Sequence, residues 1–364
     1  AYPLPQDLFK DITIKIVDQE RDRIPSTSVF QLSSERVLEP ISRRLRVGYM
    51  SSDFGGHTVG SLIRNLLKMH NRHRVEVYGI GMMKGDGTEW NIEMERSTDK
   101  FVSIHGMTDD AAAFAVDSCE VHILIDLNGH SKGSRVGVLL RRPAPIITSF
   151  LGYPATSGNV DDAIISDVWV TPPETKDLYT EKLVYLPHSY FVNDHKQLYP
   201  RPFKTTPQRK DHGLKDSNVV LGNFGQLYKV EPRLFDVWSN IVHRVDNSTL
   251  WLLKFPEEAV KRLKDQSKKK KLKGDKLVLS GLLPIDSHLD IKATADIGLD
   301  TVIFNGHTTG ADTLWTGMPL VCLSGVQMRS RAGASMAYSL GVVTWLVRNL
   351  KDYEDVAVKL AQNR

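Results

Sequence analysis

Cysteine is nearly absent from this chain of 364 residues: Cys119 and Cys322 are the only two. Each borders an apolar strand pattern, so both read as buried thiols in a reducing compartment, and a disulfide framework or cysteine-built metal cluster is excluded. Long hydrophobic runs are missing too. No stretch reaches the roughly 20 apolar residues that a membrane-spanning helix needs. The opening Ala1-Tyr-Pro-Leu-Pro5 lacks the charged-then-apolar order of a signal peptide, and with no initiator Met the chain reads as a fragment or processed product. Charge imbalance is small: 47 Lys and Arg against 43 Asp and Glu leave +4, and the excess has a local source in Lys268 to Lys271 and Lys273. A nucleic-acid protein spreads positive charge over a face interleaved with aromatics; a knot of this kind reads as a solvated connector.

What remains is the composition of a globular α/β protein, too long for one ordinary core. Residues 1–43 are polar and irregular, with one helical pattern around Leu8 to Val17, and read as a leader. From Arg44 the rhythm changes. Apolar strand-like runs at Leu45 to Met50, Val75 to Ile80, Phe101 to Ile104, Val121 to Leu127, Ile146 to Leu151 and Ala163 to Val170 are separated by helix-like segments. A stretch with three prolines, 200–217, reads as a linker between a first lobe at 44–199 and a second at 218–364. The second repeats the rhythm with runs at Val219 to Phe224, Leu250 to Phe255, Leu277 to Leu283, Ile297 to Thr301, Leu320 to Leu323 and Val342 to Val347. The expected fold is two Rossmann-like, doubly wound lobes that share a cleft, with ligands beyond the C-terminal strand ends.

The most informative of those ends follows Ala295 to Thr301. There, Phe304-Asn-Gly-His-Thr-Thr-Gly310 empties into a helical pattern. Unpaired backbone N–H groups and the positive end of the helix dipole make such a junction an anion site, and a diphosphate is its natural guest. Thr308 and Thr309 offer hydroxyls and Asp312 a carboxylate of the kind that holds a ribose diol. The plainer alternative is that Thr308 or Thr309 caps the helix. Other strand ends carry His57, Asn128, His130, Tyr153, Gln226, Lys229 and His288, and with His307 these gather on one rim. His122, at the start of an apolar strand, reads as a satisfied, partly buried histidine.

The strings Arg46-Val-Gly-Tyr-Met-Ser-Ser-Asp-Phe-Gly-Gly-His57, Arg142-Pro-Ala-Pro-Ile146, Leu151-Gly-Tyr-Pro-Ala-Thr-Ser-Gly158, Gln226-Leu-Tyr-Lys229, Leu250-Trp-Leu-Leu253 and Asn305-Gly-His-Thr-Thr-Gly310 resemble, in order, the catalytic region of the nucleocytoplasmic protein O-linked N-acetylglucosamine transferases. The resemblance implies a B-type glycosyltransferase fold, UDP-GlcNAc as donor, Ser/Thr hydroxyls of intracellular proteins as acceptors, and a cytoplasmic or nuclear setting. It implies no cofactor and no metal. The Asp109-Asp110 and Asp161-Asp162 pairs are adjacent, unlike an Asp-x-Asp metal site, and suit capping or solvation.

Residue by residue, Lys229 matches the lysine that neutralises the departing diphosphate, Thr308 and Thr309 the phosphate cradle, Asp312 the ribose acid and His288 the histidine that stacks on uracil. Gln226 and Tyr228 match nucleotide and sugar contacts. His307 and the Gly152-Tyr153-Pro154 turn match the grip on the transferred sugar, and Asn128 and His130 stand on the acceptor side. His57 matches the proposed general base, a role that an imidazole can fill.

Two departures bear on the donor. Ile285 stands where the animal enzymes carry a lysine, and Phe304 where they have a small cysteine beside the N-acetyl group. An aromatic there also occurs in the related plant-type protein O-fucosyltransferases, which makes GDP-fucose the alternative donor. A non-catalytic nucleotide-sugar scaffold and a sugar-nucleotide epimerase complete the alternatives. No 34-residue period is evident in residues 1–43, so a tetratricopeptide-repeat domain that would recruit acceptors is absent from this chain. The animal enzymes' long insertion between the lobes is reduced to the linker, and the helical run Tyr353 to Gln362 stops where relatives continue.

Overall fold

The computed structural model describes residues 4–30, 44–199, 207–283 and 287–363. Alternating apolar runs and helices resolve into two compact units, Leu4–Asp194 and His195–Arg364, each built on a wholly parallel sheet. In the first unit the strands are β1 Leu45–Ser51, β2 Val75–Gly81, β3 Lys100–Ser103, β4 Ile123–Asp126, β5 Ile146–Ser149, β6 Ala163–Ser166 and β7 Lys182–Tyr185. They lie in the order β3-β2-β1-β4-β5-β6-β7. In the second they are β8 Val219–Asn223, β9 Ser248–Leu253, β10 Leu277–Ser280, β11 Ile297–Leu299, β12 Leu320–Leu323 and β13 Leu346–Val347, in the order β10-β9-β8-β11-β12-β13.

Both orders reverse direction beside their first strand, at β1/β4 and at β8/β11. Crossovers leave on opposite faces there, so the loops beyond those strand ends part and open a crevice. The central strands are buried on both faces, which is why they read as continuous apolar runs and not as alternations. Met50, Ile80, Leu124 and Ile147 centre the first core, and Trp238, Leu250, Leu299, Val321 and Tyr353 the second. Each such side chain contributes about 1.5–3 kcal/mol on burial.

Three readings change. The helical pattern in the expected leader is a helix, Gln6–Arg21, that seats Val17 in the first core and sends Arg21 to the Asn159 carbonyl at 2.8 Å. It is part of that unit because its apolar residues have a core to fill. The division between units falls at Asp194/His195, ahead of the expected linker. Of that linker, residues 200–206 lie outside the described residues. The rest is fastened to the second unit by Arg209, whose guanidinium donates to the carbonyls of Thr294 and Asn218, both at 2.9 Å, and pairs with Asp296 at 2.8 Å. Ile285 also lies outside the described residues.

Candidate functional site

The first unit's switch-point loops are tied together from within. His57 is the N-cap of the helix Thr58–Ile63, and its Nδ1 stands 3.4 Å from the Val59 N–H and 3.3 Å from Asp53 Oδ2. One nitrogen cannot serve both in the same state. A neutral ring with its proton on Nε2 caps the helix; a ring protonated at Nδ1 donates to Asp53, the orientation that leaves Nε2 to exchange protons. With more than half its side chain exposed, His57 is accessible to a substrate. Asp53, four residues upstream, was not singled out by sequence; its i, i+4 spacing to His57 is the signal that could have found it.

Asn128 is turned into the protein, away from solvent. It is wholly buried, its Oδ1 accepts from Ser52 N–H at 2.9 Å, and its Nδ2 donates to Ser52 Oγ at 2.7 Å. It therefore ties the β1 loop to the β4 loop. Beneath it, Asp126 accepts from the N–H groups of Asn128 and Gly129 at 3.0 and 2.8 Å, and burial pushes its carboxyl up from the ordinary range. The turn itself needs glycine. Gly129 has φ +51°, and a Cβ there would lie 2.5 Å from that of Tyr153; a Cβ on Gly152 would lie 1.7 Å from the Leu127 oxygen. His130 donates from Nε2 to the Ser157 carbonyl at 2.8 Å and meets the Tyr153 ring edge-on at 5.4 Å. Tyr153 and Pro154 are half-buried on the same turn. His122 is satisfied as expected: its Nδ1 accepts from the Arg46 N–H at 2.9 Å.

In the second unit the loop after β11 is the hub. Asp300, buried at the end of β11, accepts from Thr301 N–H at 2.8 Å and Gly306 N–H at 2.7 Å. Burial raises its carboxyl to about 6 against those bonds and the nearby Lys229 charge. Tyr353, inserted by the helix Leu350–Gln362, braces the same point by donating to the Asp300 carbonyl at 2.8 Å. Asn305 is wholly buried, and its carbonyl receives Lys229 Nζ at 3.3 Å and His307 Nδ1 at 3.1 Å. A carbonyl only accepts, so the His307 proton sits on Nδ1. Burial, then the Lys229 charge, pushes His307 down to about 4, so its ring is neutral at pH 7.

Lys229 comes from the short turn Leu227–Lys229 after β8. Its Nζ also lies 4.0 Å over the Phe304 ring. Burial lowers the lysine's pKa, and Asp300 opposes that fall. The helix Thr308–Trp315 then begins with His307 as N-cap and no side-chain cap. Thr308 and Thr309 are its first two residues, so capping does not account for them. Their half-buried hydroxyls have no protein partner among the described residues.

Asp312, one turn on, sits in an ionic cluster with only a small part of its side chain exposed. Its Oδ1 lies 2.8 Å from His195 Nε2, and its Oδ2 2.5 Å from Lys292 Nζ and 3.6 Å from His288 Nε2. Burial works to raise this carboxyl, and Lys292 with the two histidines overrides it, holding the group well below the usual range. His288 meets Tyr199 edge-on at 5.3 Å.

The structure thus gathers Lys229, Phe304, His307, Thr308 and Thr309 round one hub, with Asp312 and His288 one turn further along. Tyr228 stands apart: it lines a cavity of about 660 Å³ with Leu227, Phe235, Pro256 and Leu263, none of them in the donor set, while Gln226 is exposed at the start of its turn. Among the described residues no three His, Cys, Asp or Glu side chains gather in a way that could hold a metal ion, and no helix is long and apolar enough to cross a membrane. Asp109 and Asp110 open a helix capped by Thr108 and pair with Arg135 and Arg141 at 2.5 and 2.6 Å.

Two doubly wound units, with a helix start that has no side-chain cap at the second switch point, define the fold class of the B-type glycosyltransferases. Comparison with known proteins narrows this. The chain matches Glycosyl transferase family 41 over residues 1–206 and 202–364, and it belongs to that family. It is 38% identical over 329 residues to a probable UDP-N-acetylglucosamine–peptide N-acetylglucosaminyltransferase of Arabidopsis thaliana, covering 88% of this chain and 33% of that protein. To the corresponding protein of Caenorhabditis elegans it is 28% identical over 428 residues, covering 87% of this chain and 37% of the other. The chain therefore spans about a third of the length of these relatives. A mutant O-GlcNAc transferase of Thermobaculum terrenum superposes with a TM-score of 0.85 at 25% identity, covering all of this chain and 67% of the other.

Proposed function

We propose that the chain transfers N-acetylglucosamine from UDP-GlcNAc to Ser or Thr hydroxyls of intracellular proteins, with inversion and without a metal. The observation that carries this reading is the hub at Asn305, where a lysine ammonium, a neutral histidine and an uncapped helix start meet. Those are the groups that a nucleoside diphosphate sugar needs at its phosphates and its sugar.

In the proposed step the acceptor oxygen attacks the anomeric carbon as the bond from that carbon to the phosphate oxygen breaks, and UDP leaves from the opposite face. Lys229, with the N–H groups and hydroxyls of Thr308 and Thr309, takes up the charge that grows on the diphosphate. His307 grips the sugar, Asp312 reads the ribose and His288 stacks on the uracil. His57 Nε2 takes the acceptor's proton, with Asp53 steadying the imidazolium that results. Protein acceptors are recruited by a repeat domain outside this chain, and the setting is cytoplasmic or nuclear.

Incubation with radiolabelled UDP-GlcNAc or GDP-fucose, a protein extract and EDTA tests this. Label from UDP-GlcNAc on Ser/Thr, undiminished by EDTA, supports the reading. Label from GDP-fucose alone, interconverted free nucleotide sugar, or a strict need for divalent ion overturns it.

A further inference from the structure

We propose that Lys292 and His195 are positioning residues for the nucleotide: they hold the buried Asp312 carboxylate charged and aimed so that it accepts hydrogen bonds from the two ribose hydroxyls. The proposal rests on the reading that the second unit binds UDP-GlcNAc, and adds what makes the ribose acid work.

Asp312 and Lys292 have side chains 7% and 8% exposed. A lone carboxylate at that depth takes up a proton, and a protonated acid reads a diol differently because one of its oxygens has become a donor. Two cationic or donor groups prevent this here. Lys292 Nζ reaches Oδ2 at 2.5 Å from the last residue of the helix His288–Lys292, and His195 Nε2 reaches Oδ1 at 2.8 Å from the first residue of the helix His195–Leu198. Oδ1 so engaged keeps a second lone pair fixed in direction, while Oδ2, which also faces His288, shares its second with that ring. His288 is the third titratable group facing Asp312, at 3.6 Å; the neighbouring Tyr199 and Trp315 rings bring no charge.

Fold stability alone does not call for this arrangement, since a buried ion pair seldom stabilises more than an apolar pair of similar size. Its placement is specific. Lys292 sits one helical turn beyond His288, on the face that carries the proposed uracil contact. It brings a cation to the donor unit of a chain that carries Ile285 where a lysine is expected.

Calorimetric titration with UDP and with 2′,3′-dideoxy-UDP tests the proposal on the full chain. The native protein is expected to favour UDP by roughly ten- to a hundredfold, the worth of hydrogen bonds to a charged group. Lys292→Met should abolish that preference while leaving dideoxy-UDP affinity nearly unchanged, and Lys292→Arg should restore most of it. A Lys292→Met protein that still prefers UDP, or loses both ligands equally, overturns the assignment. Should Lys292→Met not fold, His195→Gln against His195→Ala gives the same comparison, with the preference kept by the first and lost by the second. Native protein that binds UDP without reading the diol sinks this proposal and spares the donor reading; native protein that binds no UDP sinks both.

Discussion

Replacing Asp300 by asparagine should make the protein more stable at pH 7.5 and less active. The carboxyl stands at about 6 in the folded chain against an ordinary 3.8, because burial disfavours its charge. The folded state therefore holds this proton more tightly than the unfolded chain does. Stability contributed by the group is fully present below about 3.8, falls as pH rises to about 6, and stays lost above that. The difference between 3.8 and 6 corresponds to about 3 kcal/mol. Asparagine carries no such penalty, and its Oδ1 can still accept from Thr301 and Gly306. The gain at pH 7.5 is thus at most about 3 kcal/mol, reduced by whatever misfit the amide meets beside Cys322. Urea denaturation of both proteins at pH 4.5 and 7.5 reads it out: the gap should open as pH rises. A gap of equal size at both values, or a variant less stable at pH 7.5, refutes the reasoning. Turnover should fall, because the anion that offsets desolvation of Lys229 is gone.

Lys229→Met should lower kcat by about 10²–10³ with a much smaller change in UDP affinity, since the charge it meets develops at the transition state; steady-state kinetics beside calorimetry decides, and an unchanged kcat refutes the role. Phe304→Cys tests the expectation that the ring crowds an acetyl group. With the ring under Lys229 Nζ at 4.0 Å, the structure favours the reverse outcome, a loss of about 0.5–2 kcal/mol in support for the lysine and slower turnover with UDP-GlcNAc; faster turnover refutes it. Asn128→Ala should cost about 1 kcal/mol by removing the hydrogen bond to the half-buried Ser52 N–H, visible as a lower denaturation midpoint; an unchanged midpoint counts against its role as the tie between the two loops.

Apolar periodicity made every central strand legible, because strands buried on both faces leave unbroken hydrophobic runs. It missed β7, Lys182–Tyr185, an edge strand exposed at every residue but the half-buried Leu183, which leaves no such run. It overran where buried residues belong to loops. Val170, wholly buried, extended β6 past Ser166, and Val342 to Trp345 is largely a short 3-10 turn before a two-residue β13. At the site, strand-end motifs pointed to Lys229, His307 and the paired threonines. They could not show Asp312 enclosed by His195 and Lys292, because ion pairing across 117 and 20 residues leaves no local pattern. Asn128 looked like a contact residue because a polar side chain after a strand reads the same whether it faces a ligand or fastens two loops.

The Asn305 carbonyl accepts from two donors, one on each lone pair, and each bond weakens the other. When Lys229 leaves it for a phosphate, His307 keeps that oxygen to itself and its Nδ1–H bond tightens. On the proposed assignment, leaving group and monosaccharide are then sensed through one shared atom, so the affinities of UDP and free N-acetylglucosamine should not simply multiply into that of the intact donor.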